Sequence, residues 1–117
     1  MEHVLNSESL PWRSFDVPGV SGYTMKTGLI AGDYTDAYSM DLVRVEPGGH
    51  SSAHVDEGRH AFFILEGSGR IEVAGQAHYF AAGDIVKVPT QSVHELHNDG
   101  AGPLVFLTIY DPPRVRK

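Results

Sequence analysis

The stretch His60-Ala61-Phe62-Phe63-Ile64-Leu65-Glu66-Gly67-Ser68-Gly69-Arg70-Ile71-Glu72-Val73-Ala74 decides the fold class. Two runs of strand length, rich in aromatic and β-branched residues, flank a glycine-rich turn. The same grammar continues outward. Tyr38–Glu46, Ala77–Ala81, Asp84–Val88, Val93–Asn98 and Leu104–Tyr110 read as strands, and Tyr23–Ile30 as a weaker one. Turn chemistry separates them at Pro47-Gly48-Gly49, Ala74-Gly75-Gln76, Ala82-Gly83-Asp84 and Asp99-Gly100. No apolar period of 3.6 residues persists over three turns. Many short strands with turns between them predict an all-β sandwich or barrel.

The chain has 117 residues, which predicts one domain with a core of its own. It has seven histidines and no cysteine, so disulfides, thiolate nucleophiles and Cys-ligated metal sites are excluded. A formal net charge of -6 argues against a nucleic-acid partner, which would demand basic patches. No apolar run is long enough for a membrane helix, and residues 1–10 lack the pattern of a signal peptide. The expectation is a cytoplasmic protein with no membrane partner.

Two strands are apolar on both faces. Ala61, Phe63 and Leu65 alternate with Phe62 and Ile64, and Val105, Leu107 and Ile109 with Phe106. A strand with one wet face would alternate apolar and polar residues. The second face therefore needs a cover, and a homodimer partner is expected ahead of a loop of the same chain. An N-terminal arm anchored by Trp12 and Phe15 can contribute.

Six of the seven histidines fall between His50 and His97. His54 and Asp56, two residues apart, leave the same face of an extended segment. Asp56-Glu57-Gly58-Arg59 can turn the chain, and His60 then starts a strand able to run back beside the first. His94 lies on another strand. Imidazoles with one carboxylate suit a divalent ion such as Mn, Fe, Zn, Ni, Co or Cu. Spacing alone leaves a metal site and an ordinary charged turn equally open. By parity His97 points away from His94, and His50 is an outer-shell candidate. His78 and His3 read as surface residues.

The segment from Pro47 to Gly67 resembles the first motif of the cupin family. Gly48, His54 and Gly67 hold the positions of its opening glycine, first histidine and closing glycine. The segment from Gly83 to Asn98 resembles the second motif, matching at Gly83, Pro89, His94 and Asn98. The resemblance implies a single-domain, cupin-type double-stranded β-helix, a jelly-roll barrel. Asp56 replaces the second histidine of the first motif, His60 its glutamate, and Gln91 a glycine of the second. The first two replacements are still ligands. The chain is thus similar to small RmlC-like metal-binding cupins. The implied ligand set is His54, Asp56, His60 and His94, for one divalent ion per chain. Asp56 either ligates directly or acts as a general base beside the ion.

The expected boundaries are an N-terminal arm over residues 1–20, a barrel over 21–113 and a tail over 114–117. Parity sets Phe62 and Ile64 on the face of His60 and Leu96 on that of His94, and the resemblance implies that Phe106, Thr108 and Tyr110 turn inward, so these six are the expected substrate-binding lining, mostly apolar. No Arg or Lys is expected inside. The resemblance implies a dioxygenase-like oxidoreductase acting on a modest-sized apolar or aromatic small molecule. A zinc-dependent isomerase or cyclase and a non-catalytic ligand-binding protein are the alternatives.

Overall fold

The computed structural model describes residues 1–114 of the chain. Residues 115–117, most of the expected tail, lie outside the described residues. A short 3-10 turn at Ser7–Ser9 precedes nine strands. These are β1 (Arg13–Ser14), β2 (Val20–Ile30), β3 (Ser39–Val55), β4 (Arg59–Glu66), β5 (Ser68–Val73), β6 (Gln76–Ala81), β7 (Ile85–Val88), β8 (Val93–His97) and β9 (Leu104–Asp111). All pairings are antiparallel, and the strand order is β6-β5-β8-β3-β9-β4-β7, with β2 also on β3 and β1 on β2. The result is a nearly closed all-β barrel in one small domain. Among the described residues no helix is long and apolar enough to cross a membrane.

The expected turn at Pro47-Gly48-Gly49 is instead the middle of β3. Its first half pairs with β9, up to Val45 opposite Leu104. Its second half pairs with β8, from His50 opposite His97 onward. Gly48 takes a φ of 81°, a left-handed conformation that glycine adopts without steric cost. At Gly49 a Cβ would stand 2.6 Å from Val45 Cγ1 and 2.9 Å from Ser21 O. These glycines let one strand bend and change partners, as glycine within a strand often does. Glycine punctuation in sequence does not separate a bend from a turn.

Val43, Val45, Phe62, Ile64, Ile71, Leu96, Leu104 and Phe106 form the core inside the barrel. On the outer face Phe63, Leu65, Ile85 and Ile109 are exposed. The register sets Phe63 beside both Ile85 and Leu107. The arm runs elsewhere. β1 pairs with β2, Lys26 Nζ donates to Ser7 O and lies 4.9 Å from the centre of the Trp12 ring, and Phe15 packs against the core.

The β4–β5 corner is made at Gly67, with a φ of 87° and Pro103 O 2.4 Å from where a Cβ would be. Neither strain nor backbone overlap can be relieved by a side-chain rotation. Gly67→Ala is expected to destabilise the chain by roughly 2–4 kcal/mol. Urea denaturation measures this, and an unchanged midpoint would contradict it.

Candidate metal centre and barrel chamber

His54 lies near the end of β3, Asp56 just beyond it, His60 at the start of β4 and His94 on β8. His54 stands opposite His94 in the β3–β8 ladder. The expectation that β4 runs back beside β3 is not met: β4 pairs with β7 and β9. His60 therefore reaches the group from another part of the barrel wall. The Asp56–Arg59 connection is pinned by Gln91 N, which donates to Asp56 O at 3.1 Å. Gln91 has a φ of 56°, so it occupies in strain the conformation that a glycine of the cupin motif takes freely.

Asp56 Oδ2 is the centre of the group. His54 Nε2 is 3.2 Å from it, His60 Nε2 3.3 Å and His94 Nε2 3.4 Å. This oxygen is buried and has no hydrogen-bond partner among the described residues. His54 Nδ1 contacts Ser52 O at 2.8 Å and His94 Nδ1 contacts Ser92 O at 2.9 Å. A carbonyl only accepts, so both Nδ1 atoms carry a proton, and in the neutral ring Nε2 keeps its lone pair. Burial pushes His60 down to about 4 and also holds His94 below the ordinary imidazole value, so both are neutral at neutral pH. For neutral rings, imidazole lone pairs facing a carboxylate oxygen repel one another unless a cation lies between them.

The distances fit a cation. Ligand atoms about 2.0–2.2 Å from one tetrahedral ion stand roughly 3.3–3.6 Å apart. The ligand atoms of His54, Asp56 and His94 lie within 4.8 Å of one another. His60 falls outside that compact set. Its Nε2 faces Asp56 but also meets Arg114 Nη2 at 3.3 Å. A second cluster, Glu72, Glu95 and His97, meets the same distance test. There Arg70 Nη1 already pairs with Glu72 at 2.9 Å, which lowers its value as a metal site.

Beside the group is a chamber of about 80 Å³. Phe62, Leu96, Phe106, Thr108 and Tyr110 are among the residues that line it. Ile64 is not. It faces inward but is wholly buried in the core, one inward step beyond Phe62 on β4. Lining residues outside the expected set include Phe15, Tyr23, Ser51 and Arg114. Phe15 had been expected to anchor an outer cover. Tyr23 bonds Ser51, and burial pushes its phenol up to about 12. Arg114 corrects the expectation of an interior without Arg or Lys. Its guanidinium lies 4.2 Å from the Tyr110 ring centre, and Nη2 is 3.5 Å from Asp56 Oδ1. Nothing in a short run after Pro112-Pro113 signals that role.

His50 is also repositioned. The ladder sets His50 opposite His97 and His54 opposite His94, so β3 spends one more residue than β8 between the two pairs. This bulge reverses parity. His50 stacks on His97, with ring centres 5.7 Å apart, instead of supporting the metal group.

Residues 41–110 match the profile of the Cupin domain family, which includes both motif histidines of the site. The chain belongs to the cupin family. Comparison with curated proteins returns no match. Among solved structures, this cupin resembles the polyketide cyclase RemF from Streptomyces resistomycificus, with a TM-score of 0.86 and 19% identity. That alignment covers 99% of this chain and 83% of the other. It also resembles a predicted oxalate decarboxylase from Thermotoga maritima, at 0.83 and 21%, covering 93% and 98%. An RmlC-like cupin from Shewanella frigidimarina follows at 0.78 and 18%, covering 97% and 94%. At these identities the likeness is one of fold, and the barrel supports several chemistries.

Proposed function

We propose that this cupin is a metal-dependent enzyme acting on a small organic molecule held partly in the barrel chamber. One observation carries the reading: three imidazole nitrogens meet one buried carboxylate oxygen at the edge of a largely apolar cavity. His54, Asp56 and His94 would hold one divalent ion, with His60 as the outlying fourth ligand. The ion supplies Lewis acidity and, if it is Fe or Mn, one-electron chemistry with O2. Phe62, Leu96 and Phe106 keep water from the substrate body. Thr108 and Tyr110 offer polar contacts. Among the described residues Asp56 is the carboxylate near enough to move a proton.

The leading reaction class is dioxygenase-like oxidation. The experiment is O2 uptake by Fe(II)- or Mn(II)-loaded protein across catechols, diketones, styrene-like compounds and short-chain organic acids. Substrate-dependent uptake is expected, and Asp56→Ala should lower it by roughly 10²–10⁴-fold if the carboxylate moves the proton. Absence of uptake across the panel would overturn the oxidative reading. A second reading is a zinc-dependent isomerase or cyclase. It is supported by the buried Oδ2 of Asp56, a carboxylate oxygen that can shuttle a proton without any redox step. Substrate conversion without O2, with zinc bound, would select it.

A further inference from the structure

We propose that Arg114 selects an organic acid, holding its carboxylate at the rim of the site while a short body with a polar far end points toward Thr108. The inference deepens the enzyme reading above and rests on it for the location of the substrate.

Arg114 is built into the rim. Its backbone N donates to Ser39 Oγ at 3.0 Å, and its guanidinium stacks on Tyr110. The side chain is 29% exposed where that of His60 is 7% exposed. Among the described residues its polar side-chain contacts, at 3.3 Å to His60 and 3.5 Å to Asp56, both fall on Nη2. Both are longer than the ~2.7–2.9 Å of a saturated charge-assisted bond. The rest of the planar fork has no described partner, and such a fork matches a carboxylate in two-point fashion.

Charge points the same way. No carboxylate lines the chamber, and Asp56 at its edge is the acidic partner of Arg114. A divalent ion among His54, Asp56 and His94 would claim that carboxylate. The guanidinium would then face excess positive charge at short range, which an anionic substrate relieves and a neutral one does not.

Thr108 supplies an independent observation. It is 1% exposed, it lines the chamber, and among the described residues its Oγ1 has no hydrogen-bond partner. A buried hydroxyl without a partner is costly, and a polar atom of a ligand would satisfy it. The chamber volume limits the body. About 80 Å³ is roughly half of an apolar cavity known to admit benzene. A chain of a few carbons fits as the walls stand, whereas a ring requires Phe15 or Arg114 to swing outward.

The test is calorimetric titration of the full chain, metal-free and Zn(II)-loaded, with butyrate against butyramide and 4-hydroxybutyrate against 4-hydroxybutyramide. The acid is expected to bind roughly tenfold or more tightly than its amide. Arg114→Met should remove that preference while leaving amide affinity within about twofold. Arg114→Lys should restore part of it, since the charge returns without the fork. Thr108→Val should weaken the two hydroxy ligands alike by several-fold and leave butyrate affinity within about twofold. An acid preference unchanged in Arg114→Met would overturn the proposal, as would a wild-type protein that binds acid no better than amide. If Arg114→Met fails to fold, Arg114→Lys decides the matter, and a full wild-type acid preference in it would overturn the two-point role of the guanidinium. Metal uptake is titrated separately. A chain that takes no metal defeats the enzyme reading, while acid preference in the metal-free protein still reports on Arg114.

Discussion

Saturating Zn(II) or Mn(II) is expected to raise the melting temperature of the metal-free chain by roughly 10 °C, and His94→Ala to abolish the rise. A ligand that binds only the folded state at about 100 times its Kd adds about 2.7 kcal/mol. For a domain of this size that is roughly 10 °C. His94 is the clearest single test, because its ring is oriented by Ser92 O and buried against the Asp56 carboxylate. Asp56→Ala should cost most of the rise as well. Asp56→Asn separates charge from shape, since it keeps a ligand oxygen while losing the negative charge. His60→Ala should retain part of the rise, because His60 stands outside the compact ligand set. Equal losses at His60 and His94 would show that bound metal draws His60 inward. No rise with any divalent ion would remove the metal centre altogether. Differential scanning calorimetry with parallel elemental analysis provides both measurements.

Asn98→Ala is expected to destabilise the fold by roughly 3–4 kcal/mol in urea denaturation, without altering any residue of the chamber. Asn98 is 2% exposed. Its Nδ2 donates to Val45 O and Gly102 O at 3.0 Å each, and its Oδ1 accepts from Gly100 N at 3.0 Å. Its backbone accepts from Gly48 N and donates to Gly49 O. One residue thereby ties the end of β8 to the bend of β3. Truncation leaves the buried Val45 carbonyl and the half-buried Gly102 carbonyl and Gly100 N–H without that partner. Asn98→Asp should be no better, because a carboxylate cannot donate to the two carbonyls. His97→Ala, one residue earlier and on the outer face, should cost less than about 1 kcal/mol. Similar losses at both positions would contradict the assignment.

Asn98 illustrates how far local pattern carries. Its place in the second cupin motif is plain in the sequence, but its partners Val45, Gly100 and Gly102 belong to a corner visible only after folding. His54 and His94 are legible for the same reason as the motif: each is tied to a nearby carbonyl, two residues back, by local strand geometry. His50 is not legible, because a one-residue bulge in β3 reverses parity without changing composition. Arg114 is not legible either. It reaches Asp56 from the far end of the chain, and only the path of the backbone after β9 determines that distance.

Composition, strand-length runs and turn residues determined by themselves that this protein is an all-β domain, because alternation and turn propensity act over a few residues. The absence of cysteine confined any metal to nitrogen and oxygen donors, a matter of chemistry alone. Tertiary structure decided the rest. It bent β3 through Gly48 and Gly49, carried β4 away from β3, drew three imidazoles around Asp56 Oδ2, and set Arg114 over Tyr110. Each of these depends on contacts between residues distant in sequence. Such contacts are set by strand pairing and barrel curvature, which no local pattern encodes.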